Sequence, residues 1–266
     1  MNEYLVAILL GIVEGITEFL PVSSTGHLIL ASELMGYDAA QWAVFNIAIQ
    51  PGAILAIVVL YWRTFLAVGR GLLSWEANSV RFVRNLLIAF VPAVALGLLF
   101  NDQIEALLEN AVIVAWALIA GGIGILVVER LARTKNVLGI AGVSFSQSVK
   151  IGLVQCIAMI PGVSRSGATI MGAMALGVDR RTAADFSFFL ALPTLTGATV
   201  LQLFKHRDAL TADSFGLIAV GFVVSFIVAL AVVKAFLAVV TKHGFAPFAW
   251  YRIVAGTAAL IWLSMR

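Results

Sequence analysis

Glu14 and Glu18 stand four residues apart in "EGITEFLPVSSTGH" (14–27), and Ser23, Ser24, Thr25 and His27 follow within the same stretch. On a helix the two carboxylates share one face. Each charge within a membrane-spanning segment costs roughly 2.5–3.5 kcal/mol, and two adjacent anions repel in addition. A shared proton, a divalent cation held by oxygen ligands, or a nearby arginine would offset that cost. The hydroxyls open the helix that continues through "LILASEL". There they cap backbone N–H groups, and a helix start in a low-dielectric site also binds anions, phosphate in particular. His27 is either a satisfied buried histidine or a group that transfers a proton or attacks phosphorus.

A second stretch, "PGVSRSGAT" (161–169), repeats this design with a cation in it. Arg165, flanked by Ser164, Ser166 and Thr169, offers a fork of donors matched to phosphate oxygens, or else an internal ion pair with Glu14 or Glu18. Sliding the chain 141 residues along itself places Gly11 on Gly152, Ile16 on Ile157, Ser23 on Ser164, Gly26 on Gly167 and, later, Phe45 on Phe186. At the same offset Arg165 falls on Ser24, Gln155 on Glu14 and Met159 on Glu18. One copy is acidic and the other cationic, so only together do they make a complete site.

The elements that must position these residues are apolar. Of 266 residues 62% are hydrophobic and only 12% charged, and the mean hydropathy is +1.04, outside the range of a water-soluble domain. A lone cysteine, Cys156, excludes a disulfide framework and a Cys/His metal cluster, and no basic stretch interleaved with aromatics points to nucleic acid. The segment around Glu3 lacks the basic start and cleavage site of a secretory signal, so it is expected to be retained. Six segments, roughly 42–62, 82–100, 111–128, 182–204, 216–240 and 247–264, are long and apolar enough to span a bilayer. Two more, about 3–36 and 145–177, are broken at "PVSSTG" and "PGVSRSG" and read as re-entrant helical hairpins.

The expected fold is therefore an all-α integral membrane protein: six transmembrane helices and two re-entrant hairpins, arranged as an inverted-topology repeat. Residues 1–136 form the first repeat and 142–266 the second, inverted one, in a single membrane domain. The stretches 62–84 and 129–136 are rich in Arg and Lys, whereas 101–110 is acidic and 205–213 balanced. The positive-inside rule then puts the first pair in the cytoplasm and both termini outside it, with the hairpin tips meeting near the midplane. Weaker signals are Gln50 beside Pro51, as a cavity-lining group, and Asp185 and Ser187, as supports for the second hairpin. Arg180 and Arg181 read as surface anchors, and the six tryptophans mostly as an interfacial belt.

The two motifs together, in a chain of this size and hydropathy, resemble the undecaprenyl-diphosphate phosphatases of bacteria, the bacitracin-resistance family. That resemblance implies removal of the terminal phosphate of undecaprenyl diphosphate, returning the monophosphate carrier to peptidoglycan synthesis and conferring bacitracin resistance. It also implies a site open to the periplasm or cell exterior in the bacterial cytoplasmic (inner) membrane, and a divalent cation, Mg2+ or Ca2+. On this reading Glu14 and Glu18 hold the metal, and Ser23, Thr25, Ser164, Arg165, Ser166 and Thr169 hold phosphate. Glu18, Ser24, His27 and Arg165 do the chemistry, with Ser24, His27 and a metal-bound water all open as nucleophile. The expected partners are the polyprenyl diphosphate and membrane lipids, not nucleic acid; a homodimer is left open. A secondary transporter or flippase of a phosphorylated lipid or anion is the alternative, because inverted repeats with broken helices are also its signature.

Overall fold

In the computed structural model, residues 2–37, 42–108, 110–132, 139–207 and 212–265 are described. They form twelve α-helices and, among the described residues, no strand. In chain order these are α1 Glu3–Thr17, α2 Ser24–Leu34, α3 Ala43–Leu60, α4 Trp62–Leu73, α5 Ala77–Leu99 and α6 Asn101–Leu108. Then follow α7 Ala111–Leu131, α8 Phe145–Gln155, α9 Arg165–Ala175, α10 Arg180–Lys205, α11 Ala212–His243 and α12 Ala246–Ser264. Six of them, α3, α5, α7, α10, α11 and α12, are long and apolar enough to cross a membrane, which makes this a multi-pass membrane protein. The boundary between the two sequence halves, and the loop stretches 133–136 and 208–211, lie outside the described residues.

The spans occupy the six expected segments, but two stretches read as loops are helical. The basic stretch after residue 62 carries α4, whose Trp62, Leu66, Leu72 and Leu73 are exposed, while Arg63 and Arg70 lie between them. That alternation is what a helix lying along a membrane surface requires. The α5 helix begins five residues before the expected 82, because "ANSVR" contains no Gly or Pro to stop it. The acidic loop after residue 100 forms α6. Trp42, expected in the interfacial belt, is 9% exposed and packs edge-on against Phe45 at 4.9 Å, so it belongs to the core.

Four of the six remaining helices make two helix–turn–helix pairs, α1–α2 and α8–α9, set among the spans. The α1 helix lies against α11, α8 against α5, and both α2 and α9 contact α7. Small residues permit the close approaches: a Cβ at Gly122 or Gly256 would lie 2.7 Å from the Ala249 carbonyl oxygen or 2.6 Å from that of Ala115, so α7 and α12 meet backbone to backbone. An aromatic cluster fills the inner core. Phe188 meets Phe19 edge-on at 5.4 Å, and Phe189 meets Tyr61, Phe65 and Phe82 within 5.3 Å. Because Phe19 follows Glu18 directly, this cluster anchors the first turn.

Candidate active site

Each helix pair turns on a serine with the same geometry. Ser23 (φ 73) caps α2 by accepting from the Gly26 N–H at 3.3 Å, and Ser164 (φ 77) caps α9 by accepting from the Gly167 N–H at 3.1 Å. Positive φ is unfavourable for a residue with a Cβ and persists only where the surroundings enforce it. Both cap hydroxyls are therefore committed to backbone, and the residues that follow, Ser24 and Arg165, project into the space between the turns.

There the two turns meet. Arg165 Nη2 donates to Glu18 Oε1 at 2.8 Å, and the Ser24 hydroxyl donates to Glu18 Oε2. The second guanidinium nitrogen of Arg165 donates to the Ser187 carbonyl at 3.1 Å, and its planar group lies 5.7 Å from the Phe19 ring. Ser166 ties the turns together by donating to the Leu20 carbonyl at 2.7 Å. Glu18 thus holds a hydroxyl on one oxygen and a cation on the other. One turn of helix earlier, Glu14 is completely buried, and neither of its carboxylate oxygens has a hydrogen-bond partner.

A cavity of about 430 Å3 begins at this point. Its floor is polar: Glu18, Ser23, Ser24, Thr25, Gln50, Gln155, Ser164, Arg165 and Thr194. Its walls are apolar, from Phe90, Val94 and Leu98 of α5 to Leu195, Ala198 and Leu201 of α10. At its far end are Asn101 and Gln202, whose amides donate to Glu105 at 2.8 and 3.0 Å and join α6 to α10. Partial burial pushes the Glu105 pKa up, but these two amides and the Lys205 ammonium outweigh it and hold the carboxylate below its usual value.

Of the residues singled out by sequence, Glu18, Ser23, Ser24, Thr25, Ser164 and Arg165 line the cavity, as does Gln50. Glu14, His27, Ser166 and Thr169 stand behind its wall. His27 Nδ1 donates to the Ser23 carbonyl at 2.8 Å, which leaves Nε2 to accept from the Tyr251 hydroxyl at 2.7 Å, so both ring nitrogens are engaged. Thr169 is buried on Ser187 (2.7 Å) and the Arg165 carbonyl (2.9 Å), and so steadies Arg165 from below. Ser187 serves the second turn, whereas Asp185 accepts from Tyr61 at 2.5 Å and Arg181 at 3.1 Å, away from it.

Gln155 and Arg252 stand out among the site residues that sequence reasoning does not reach. Gln155, the repeat counterpart of Glu14, is 2% exposed, lines the cavity floor and has an unpartnered amide nitrogen. Arg252, in the middle of α12, is completely buried and reaches carbonyls of both turns. Its signal was available, since an arginine within an apolar span marks a functional position.

A multi-pass helical protein that buries a carboxylate, an arginine and capped helix starts at the floor of an apolar cavity, with a second carboxylate behind them, belongs to the class of intramembrane enzymes and transporters handling anionic, lipid-like molecules. The chain is a member of one such family, the bacitracin resistance protein BacA family, whose model matches residues 7–258. It is 62% identical to an undecaprenyl-diphosphatase of Novosphingobium aromaticivorans over the full length of both chains. Identity is 55%, again over both full lengths, with an undecaprenyl-diphosphatase of Sphingopyxis alaskensis. It is 59%, over 97% of each chain, with one of Rhizorhabdus wittichii.

Proposed function

We propose that this protein hydrolyses undecaprenyl diphosphate to undecaprenyl phosphate and inorganic phosphate, recycling the lipid carrier of cell-wall synthesis and so conferring bacitracin resistance. The observation that carries the reading is the Ser24–Glu18–Arg165 constellation at the polar end of an apolar cavity. The lipid tail lies along the α5 and α10 walls, which places the diphosphate on the floor. Ser24 is the nucleophile: its oxygen attacks the terminal phosphorus while Glu18 takes the hydroxyl proton. The bond from that phosphorus to the bridging oxygen breaks, and undecaprenyl phosphate leaves. Water then cleaves the phosphoserine. Arg165, held by Ser187 and Thr169, neutralises the phosphoryl oxygens as charge shifts toward the leaving group. The engagement of both His27 nitrogens and its place behind the wall favour Ser24 over His27.

A divalent cation, Mg2+ or Ca2+, fits the acidic side. Among the described residues no third His, Cys, Asp or Glu joins the carboxylates, and such a sparse set suits a hard cation that completes its shell with water and substrate phosphate. Glu14 supplies orphaned oxygens for it and Glu18 a second carboxylate. When bound, the cation neutralises diphosphate charge.

The same reading includes the topology. Helices α1 (15 residues) and α2, α8 and α9 (11 residues each) are too short to cross about 30 Å of hydrocarbon at about 1.5 Å per residue. They form two re-entrant hairpins, and the matching Ser23 and Ser164 caps support their relation as inverted repeats. Arg63, Arg70, Arg81 and Arg84 cluster on α4 and the start of α5. The cavity reaches the other end of α5, at Asn101. With the arginines at the opposite end, the positive-inside rule supports a cavity that faces the periplasmic side of the inner membrane.

The test is phosphate release from a long-chain polyprenyl diphosphate by the purified protein, with and without chelator. Glu18→Gln and Arg165→Ala should each cost about a hundredfold or more, and label from the terminal phosphate should be trapped on Ser24 and not in Ser24→Ala. A wild type that binds the lipid and carries it across liposomes without releasing phosphate would replace the phosphatase with a transporter. Label on His27, or on no residue during turnover, would remove Ser24 as nucleophile.

A further inference from the structure

Arg252 is a cation buried in the protein with no carboxylate forming an ion pair to it among the described residues. Such burial costs several kcal/mol unless every donor is satisfied. All five are. Nε donates to the Leu118 carbonyl at 3.2 Å. Nη1 donates to the carbonyls of Pro21 and Val163, both at 2.9 Å. Nη2 donates to those of Ala117 at 3.1 Å and Gly162 at 2.9 Å. The planar fork spends two donors on α7 and three on the turns, taking carbonyls that closely precede Ser23 in one turn and Ser164 in the other.

Those two serines hold positive φ, and each precedes a reacting group: Ser24 in the first turn, Arg165 in the second. A turn held in an unfavoured conformation relaxes unless something outside it fixes its peptide groups. Here one side chain, itself outside the cavity lining, fixes both turns at once. We propose that Arg252 is a positioning residue for the phosphatase reaction, its guanidinium setting the distance between the Glu18–Ser24 turn and the Arg165 turn. The proposal rests on the phosphatase reading given above. Lysine cannot replace it, because one ammonium has three donors and no planar fork for five carbonyls.

Gly121 gives independent access to the guanidinium. A Cβ added there would overlap Arg252 Nη2, while Gly121 itself belongs to neither turn. The experiment is steady-state phosphate release from a polyprenyl diphosphate by the full-length protein, with melting curves on the same samples. The variants are Arg252→Lys, Arg252→Met, Gly121→Ala and the double Gly121→Ala/Arg252→Met. Arg252→Lys and Arg252→Met should each lower kcat about a hundredfold, the scale of an approximately 1 Å misplacement, with KM changed by no more than about twofold. Gly121→Ala should lower kcat in the parent and add nothing in Arg252→Met, because the group through which it acts is gone. If Arg252→Met gives no melting transition, the cycle is run on Arg252→Lys. Unchanged kcat in the Arg252 variants, or an equal Gly121→Ala effect in both backgrounds, overturns the proposal and leaves the phosphatase reading intact. A wild type without phosphate release refutes both.

Discussion

The ion pair between Arg165 and Glu18 joins the two turns, so its energetics can be separated from its chemistry. Its atoms lie 2.8 Å apart, and the two side chains are 10% and 4% exposed. Opposite charges about 4 Å apart, centre to centre, attract by about 4 kcal/mol at an effective dielectric of about 20. Removing one partner of a buried pair costs about 3–5 kcal/mol because the other is stranded. Here Glu18 would keep Ser24 and Arg165 would keep Ser187, which favours the low end. Glu18→Gln and Arg165→Met should each destabilise the protein by about 3 kcal/mol, and the double variant, which strands no charge, by about as much as either single one. At about 2–4 °C per kcal/mol, each single substitution lowers Tm by about 6–12 °C in one detergent, and the double does not fall further. Phosphate release should stay down about a hundredfold in all three, because the double variant, though no less stable than either single one, still lacks the contacts that act on phosphorus. Losses that add within about 0.5 kcal/mol in the double variant would mean that the two groups do not interact, and the joined-turn geometry would be refuted.

Three further substitutions test separate parts of the site. Gln155→Leu removes an amide whose nitrogen is buried without a partner, so melting should be unchanged or rise, while kcat/KM falls about tenfold or more if that amide faces the diphosphate; a fall in Tm with full activity would make Gln155 structural. Ala198→Phe narrows the apolar wall and should raise KM for a long polyprenyl diphosphate while sparing a short-chain one; equal effects on both would place the tail elsewhere. Gly15→Ala puts a Cβ 2.7 Å from the Ser225 carbonyl oxygen and 2.8 Å from the Val228 Cβ, so it should destabilise the α1–α11 contact by about 1–3 kcal/mol, read as a lower Tm.

Much of this architecture is legible in the sequence because bilayers make simple demands. Length and hydropathy locate the six spans, and Pro21 and Pro161 with their serines locate both turns. Where the reading failed, tertiary contacts decide. Arg63 and Arg70 make α4 look like a loop until its apolar face is counted separately. Trp42 carries the same residue type as the exposed Trp62 and Trp75, yet it is buried in an apolar cluster with Tyr37 and Phe45 edge-on against it. Among the polar residues, type alone marked the cluster but not the division of labour within it. Ser24 and Ser166 are alike in sequence; one hydroxyl meets a carboxylate and the other a backbone carbonyl across the site. His27 is occupied by Tyr251, which is 224 positions away along the chain and invisible to any local pattern.

Charge explains why the site divides its acids and bases between two turns. Glu14 and Glu18 on one side, and Arg165 and Arg252 on the other, balance formally when all four are ionised. Had Glu14, Glu18 and Arg165 come from one turn, opposite charges close in sequence would pair locally and leave nothing to face a substrate. Here only Glu18 and Arg165 pair directly; Arg252 is satisfied by carbonyls, and the carboxylate of Glu14 remains unmatched. A diphosphate adds several negative charges to a space walled by α5 and α10, where a low dielectric makes like-charge repulsion strong. A site whose own charges balance cannot absorb them alone, so binding must bring positive charge with it, as a cation or as a proton on Glu14. These two routes separate experimentally. If a cation comes with the substrate, Glu14→Gln should raise the metal concentration needed for phosphate release; if a proton does, the same variant should leave metal dependence unchanged and flatten the alkaline limb of the pH–rate profile.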